Sequence, residues 1–205
     1  MTNATAHVDT FARDNLPLAE TLPEFLLDGF DYPPELNIGT ELTDAMVTKG
    51  FGDHTALIGN GRRRTYKELS DWTNRIAHVL VDDIGVLPGN RVLIRSANNP
   101  AMVACWLAAT KVGAVVVNSM PMLRAGELKK YVEKAQIAYA LCDTRLMDEM
   151  EICAEGNLIL TRVMGFDGTS NHDAELDRLA LEKPVQFDAV QTLSLIHISE
   201  PTRLV

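Results

Sequence analysis

Arg91-Val-Leu-Ile-Arg95 and Asn98-Asn-Pro-Ala-Met-Val-Ala-Cys-Trp-Leu-Ala-Ala-Thr-Lys-Val-Gly-Ala-Val-Val-Val117 decide the fold. The first is a short strand. Asn98-Asn99-Pro100 then opens a helix, since proline is tolerated in a first helical turn, and Ala101 to Val112 continues it until Gly113 breaks it. Ala114 to Val117 is apolar at every position, the pattern of a strand buried on both faces of a parallel sheet.

The same rhythm continues outward. Toward the C-terminus, Arg124-Ala-Gly-Glu127 leads into a helix through Ala135, followed by a strand over Ile137 to Leu141. A helix over Thr144 to Ala154, a fourth strand over Leu158 to Val163 and a polar loop over Gly165 to His172 come next. Toward the N-terminus, Pro88-Gly89 marks a turn. Thr65 and Glu68 form a capping box for a helix whose stripe is Leu69, Trp72, Ile76, Val79 and Leu80, ending near Ile84-Gly85. Thr55 to Ile58 and Arg62 to Thr65 flank Gly59-Asn60-Gly61, a hairpin turn whose residues accept positive φ. Asn37 to Gly50 reads as a helix with Leu42, Met46 and Val47 on one face. Before it, Pro17, Pro23, Pro33 and Pro34 lie among Phe11, Phe25, Leu26, Phe30 and Tyr32, a segment expected to wrap over a domain with its aromatics pinned to the surface. The fold class is therefore α/β, with alternating β-α units on a mostly parallel sheet and an N-terminal hairpin.

The chain has 205 residues, 46% hydrophobic and 23% charged, enough for one core. Nineteen Lys and Arg against 28 Asp and Glu give a net charge of −9. That balance argues against nucleic acid and anionic membranes as partners. No apolar run approaches the roughly 18 residues of a membrane span. Met1-Thr-Asn-Ala4 lacks the basic and apolar regions of a secretion signal. Cys105, Cys142 and Cys153 read as buried free thiols. Together these features point to a cytoplasmic protein.

Candidate chemistry is sparse. Gly-x-Gly-x-x-Gly, Gly-x-x-x-x-Gly-Lys-Ser/Thr, Gly-x-Ser-x-Gly and His-Glu-x-x-His are all absent from the sequence. His7, His54, His78, His172 and His197 have no metal-binding spacing, so no metal ligand is assigned. His78 reads as a solvated or edge residue of its helix. Asp82-Asp83 reads as a solvated helix end, because adjacent helical positions point apart. Arg62-Arg63-Arg64 reads as a solvated edge hairpin rather than a phosphate clamp. Met120, Met122 and Leu123 could line a pocket at the carboxyl edge of the sheet, where ligands of α/β proteins collect, but core packing is their expected role.

Thr65-Tyr66-Lys67-Glu68-Leu69 resembles the Thr-Tyr-x-Glu-Leu signature of adenylate-forming acyl- and aryl-CoA ligases. Asn74-Arg-Ile-Ala77, Gly85-Val-Leu-Pro-Gly-Asn-Arg-Val92 and Trp106-Leu-Ala-Ala-Thr-Lys-Val-Gly-Ala114 follow in that family's order, and the likeness covers Asn37 to Val163. Ala6-His-Val-Asp-Thr-Phe-Ala-Arg-Asp-Asn-Leu-Pro17, Asn98 to Trp106, Met120-Pro-Met-Leu-Arg-Ala125 and Ala140-Leu-Cys-Asp143 are similar to the benzoate and 2-aminobenzoate branch. The resemblance implies a ligase that uses ATP, CoA and Mg²⁺ to activate a small aromatic carboxylate, and it admits a homodimer. The family's Ser/Thr/Gly-rich phosphate loop ending in Pro-Lys does not follow Val163. Gly168-Thr169-Ser170 does not match it, so no catalytic residue is carried onto this chain and its cofactor-binding residues stay unknown. No cofactor is expected to bind this chain tightly.

Leu193-Ser-Leu-Ile-His-Ile-Ser-Glu-Pro-Thr-Arg203 resembles a forward translation of a sequencing-library transposase adapter, codon by codon. Three segments are accordingly expected: 1–40 as a wrapping segment, 41–192 as part of a ligase N-terminal domain, and 193–205 as adapter-derived. The readings to separate are a piece of an aryl-CoA ligase, a piece of an aryl-AMP ligase that loads a carrier protein, and a short non-enzymatic α/β binding module.

Overall fold

The computed structural model describes residues 6–21, 33, 35–169 and 173–192. Within them, β1 (Thr55–Gly59) and β2 (Arg62–Thr65) form an antiparallel hairpin. Asn60 (φ 52°) and Gly61 (φ 71°) make its turn with two positive φ values, the geometry that matches strand twist in a two-residue hairpin. Helix α1 (Tyr66–His78) starts on the Thr65–Glu68 capping box. Then β3 (Arg91–Arg95), α2 (Pro100–Lys111), β4 (Val115–Ser119), α3 (Ala125–Ala135), β5 (Tyr139–Asp143), α4 (Met147–Ala154), β6 (Arg162–Phe166) and α5 (Glu175–Leu181) alternate.

The four later strands form one parallel sheet in the order β4-β3-β5-β6. One core lies between this sheet and α1, α2 and α5, built on Leu69, Ile76, Leu80, Ala104, Ala108, Leu176 and Ala180. A second lies on the other face under α3 and α4, around Leu93, Leu128, Val132, Met150 and Cys153. All five residues of β3 are buried, whereas Val115, Val116 and Val117 of β4 are only half-buried, because β4 is an edge strand. The three cysteines are free and buried, as the sequence suggests.

Several sequence expectations shift. The helix over Asn37 to Gly50 is broken into short pieces, Ile38–Glu41, Asp44–Met46 and a wide turn at Val47–Phe51. Thr43 Oγ1 donates to the carbonyl of Gly39 at 2.5 Å, which diverts the backbone at the break. The strand expected at Leu158 to Val163 begins at Arg162 and runs to Phe166, into the stretch read as a loop from Gly165. Asn157 Oδ1 accepts the backbone N–H groups of Ile159 and Leu160, so that apolar run is folded into a turn. The strand expected at Ile137 to Leu141 is displaced to Tyr139–Asp143. Asp82 and Asp83 lie exposed at a helix end, as expected, and both also contact Lys183 Nζ, at 3.3 and 2.7 Å.

Near the N-terminus, Val8, Asp9 and Phe11 contact the turn before β3 and its first residue, Arg91. Val8 and Asp9 donate their N–H groups to the carbonyl of Pro88. Asp9 pairs with Arg91 at 2.5 Å, and the Arg91 guanidinium sits 4.6 Å over the Phe11 ring. Gly89 (φ 90°) is required here, since a Cβ would run into the Asp9 carbonyl. Phe25, Leu26, Phe30, Tyr32, Pro23 and Pro34, together with 193–205, lie outside the described residues.

A buried cation joins this scaffold. Lys111, at the end of α2, has no exposed surface; its Nζ donates to Asp44 Oδ2 at 2.6 Å and to Asn74 Oδ1 at 2.5 Å. Asp44 Oδ1 also accepts from Ser70 Oγ and Asn74 Nδ2. Burial pushes the Asp44 carboxyl up, but the Lys111, Ser70 and Asn74 donors outweigh it and hold it below the ordinary carboxylate value. Lys111→Ala should therefore lower stability by about 3 kcal/mol, the scale of breaking a buried pair, read as a fall in the urea midpoint. Because the folded Asp44 value is depressed, its contribution is complete above about pH 4 and fades as pH falls through the lower folded value. Asp44→Asn should flatten that acid limb in urea melts between pH 6 and 3; an unchanged pH slope would contradict the assignment.

Candidate functional site

The strand order places a topological switch at the carboxyl ends of β3 and β5. The connection leaving β3 crosses the α1–α2–α5 face, and the one leaving β5 crosses the α3–α4 face. A crevice opens where adjacent connections diverge, and ligands of open α/β sheets bind there. Four residues lie at this point: Arg95 at the end of β3, Ser96 just after it, Asp143 at the end of β5, and Arg145 in the turn beyond.

Asp143 has no exposed side-chain surface. Its Oδ1 accepts from the backbone N–H and Nε of Arg145, at 3.1 and 2.9 Å. Its Oδ2 accepts from Arg145 Nη2 at 2.6 Å, Ser96 Oγ at 3.2 Å and Asn99 Nδ2 at 3.4 Å. Burial alone would raise this carboxyl, yet Arg145 and Ser96 hold it below its ordinary value. The loop after β6 closes over the group, and a Cβ on Gly168 would collide with Asp143 Oδ2. Asn60, in the hairpin turn, fastens that loop by donating to the carbonyls of Gly168 and Thr169 at 3.1 and 3.0 Å. Next to it, the fully buried Arg95 guanidinium donates to the carbonyls of Met120, Pro121, Leu123 and Leu146.

Met120 and Met122 do not pack in the core as expected: they are 66% and 84% exposed. Arg95 draws the backbone of their loop inward, which turns these side chains out, while Leu123 packs beside the second core. The arginine run also departs from expectation. Arg62 and Arg63 are exposed, but Arg64 is 4% exposed and lies 4.9 Å over the Trp72 ring. Arg62, Arg64, Arg75, Glu68, Asp71 and Asp177 surround a cavity of about 310 Å³ in which both signs of charge are present. A second, apolar cavity of about 420 Å³ lies between the hairpin, α1 and α2, bounded by Leu57, Leu69, Met102, Val103, Trp106 and Asn118. His78 lies on α1, as expected of an edge residue, with Nε2 2.7 Å from the Gln186 carbonyl and its ring edge-on to Phe187. His172, His197 and Ser170 lie outside the described residues.

These groups set limits on chemistry. Burial pushes the thiols of Cys105 and Cys153 up and that of Cys142 to about 12, so none is a ready nucleophile at neutral pH. A nucleotide phosphate needs free N–H donors, and Mg²⁺ needs carboxylate oxygens that are still open. Both Asp143 oxygens are already bonded. Among the described residues no group of three or more His, Cys, Asp or Glu could hold a metal ion. This cluster therefore leaves no carboxylate oxygen open to Mg²⁺, and no reaction step is assigned to it. Sequence reasoning missed Arg95, Asp143 and Arg145. The signal available was a charged residue at the carboxyl end of a buried strand. Nor, among the described residues, is any helix long and apolar enough to cross a membrane.

Comparison with known proteins places this scaffold. A medium/long-chain-fatty-acid–CoA/3-oxocholest-4-en-26-oate–CoA ligase of Mycolicibacterium smegmatis is 30% identical over 152 residues, covering 74% of this chain and 25% of the relative. A 3-hydroxybenzoate–CoA ligase of Aromatoleum sp. strain CIB is 32% identical over 98 residues, 48% of this chain and 18% of the relative. The chain thus spans a quarter or less of the length of these relatives. Among solved structures, the anthranilate CoA ligase AuaEII in complex with anthranoyl-AMP superposes with a TM-score of 0.70 at 17% identity. That match covers 80% of this chain and 30% of AuaEII, and the likeness is one of fold. The profile of the AMP-binding enzyme family matches residues 45–197, about three quarters of the sequence, and the chain belongs to that family.

Proposed function

We propose that this chain is the N-terminal part of an ATP-dependent aromatic acid–CoA ligase of the 2-aminobenzoate type, and that it is inactive on its own. The family match over residues 45–197 carries the reading. The hydroxybenzoate ligase among the relatives and the motif segments at Ala6 to Pro17 and Met120 to Ala125 support an aromatic acid. In the intact enzyme the aromatic carboxylate attacks the α-phosphate of ATP, giving acyl-AMP and pyrophosphate. The CoA thiolate then displaces AMP to form the aryl-CoA. In this reading residues 1–40 wrap the domain, 41–192 form its opening portion, and 193–205 are foreign to it. The described residues supply the sheet, its sealed carboxyl edge and the hairpin, while the groups that bind the nucleotide belong to the remainder of the enzyme.

Sequencing the source DNA from the Trp106 region through the Thr192–Leu193 junction tests this first. The adapter-like codons should vanish, and the frame should continue into a Gly-rich loop with Pro-Lys; a genomic stop codon soon after Val205 would sink the ligase reading. The intact enzyme should catalyse ATP–pyrophosphate exchange that depends on 2-aminobenzoate, and the 205-residue chain should give none. Exchange by the purified short chain would show that it carries the catalytic groups after all.

A further inference from the structure

We propose that the Asn60–Gly61 peptide in the hairpin turn is a deamidation site, and that conversion of Asn60 to an acid unfastens the loop covering Asp143. The proposal uses the hairpin tip and the loop after β6 alone. It stands apart from the ligase reading and from the length of the natural chain.

Deamidation needs an asparagine whose side-chain carbonyl carbon the next backbone nitrogen can reach. Asn60-Gly61 is the one Asn-Gly step in the sequence. Gly61 has no side chain to shield its nitrogen or to restrict its backbone. Both residues are exposed, and a Cβ on Gly61 would meet no atom within 4 Å. Water and base therefore reach the turn. Once the Gly61 N–H has lost its proton, the nitrogen attacks Asn60 Cγ. The new C–N bond closes a succinimide ring, and the Cγ–Nδ2 bond breaks as ammonia leaves. Water then opens the ring at either carbonyl, giving aspartate or isoaspartate. Water is the only co-reactant, and nothing is oxidised or reduced.

The fold ties this reaction to the carboxyl edge of the sheet. Asn60 Nδ2 donates to the carbonyls of Gly168 and Thr169 at 3.1 and 3.0 Å. An ionised carboxylate only accepts, so after conversion it would face two carbonyl oxygens and repel them. The hairpin tip has a second anchor, since a Cβ on Gly59 would stand 2.6 Å from Cγ of Pro100, the first residue of α2. The loop is therefore the part that gives way. A Cβ on Gly168 would overlap Asp143 Oδ2, which makes this loop the cover over a carboxylate with no exposed side-chain surface. Losing the Asn60 tie lifts that cover and admits water to Asp143. The same tie paces the chemistry. While the two carbonyls hold Nδ2, the side chain is turned toward the loop, and Gly61 N reaches Cγ only when those hydrogen bonds open.

The test holds the intact protein encoded by clean DNA at mildly alkaline pH, folded and in urea, and follows tryptic fragment 50–62, whose only asparagine is Asn60. The fragment should gain the mass of an amide-to-acid change and accept label from an isoaspartate methyltransferase, more slowly in the folded protein than in urea. Hydrogen exchange over 166–169 should be on the order of tenfold faster in the converted protein and in Asn60→Asp, the scale of the lost hydrogen bonds. Asn60→Gly accepts the positive φ of the turn but has no amide. It should match that faster exchange and never gain the mass, which separates the lost tie from strain in the turn. A folded protein whose fragment stays unmodified after the urea sample has converted would overturn the site. Unchanged exchange in Asn60→Asp and Asn60→Gly would overturn the unfastening, and Asn60→Gly decides it alone if Asn60→Asp does not fold.

Discussion

A guanidinium with almost no exposed surface governs the carboxyl edge of this sheet. Arg95 ends the central strand, and its donors reach the carbonyls of Met120, Pro121, Leu123 and Leu146. A buried cation is costly unless its donors are met, so the loops after β4 and β5 are bound to converge on it. At the other end of the same strand, Arg91 donates to the carbonyls of Ala135 and Gln136, where α3 ends, while pairing with Asp9. The central strand thus fixes its own neighbours from both ends. The fan of loops over the switch point, with Asp143 and Arg145 inside it, follows from that arrangement.

Lys111 plays the matching part on the helical side. It ties the end of α2 to α1 through Asn74 and to the broken helix before the hairpin through Asp44. Asn37 reaches the same place, donating to the carbonyls of Thr110, Lys111 and Val190. The segment before the hairpin and the one after α5 therefore meet at a single helix end, far apart in sequence and adjacent in space. This junction fixes where the chain stands when it reaches Thr192.

Much of the architecture was legible in the sequence because local signals agreed with the global fold. Asn60-Gly61 fixed the hairpin, Thr65 with Glu68 fixed the start of α1, and Asn99-Pro100 fixed α2. Errors arose where a side chain overrode a pattern. Asn157 turned an apolar run into a bend and delayed β6, and Thr43 interrupted a helical periodicity by bonding to Gly39. Met120 and Met122 looked like core residues because hydrophobicity says nothing about a distant arginine that claims the backbone between them. The switch-point cluster was illegible for a related reason: Ser96, Asn99, Asp143 and Arg145 meet only once β3 and β5 lie side by side. The family came from short motifs whose residues serve mainly as caps and stops, so recognising them revealed ancestry before chemistry.

The three thiols are distributed in a way that gives the molecule internal reporters. Cys105 lies in the core under α2, while Cys142, on β5, and Cys153, on α4, lie in the core on the opposite face. Burial suppresses the thiolate at all three. An alkylating reagent can react only during the moments when a layer opens. Reaction at Cys105 compared with Cys153 would therefore time the breathing of each side of the sheet separately, without any added label.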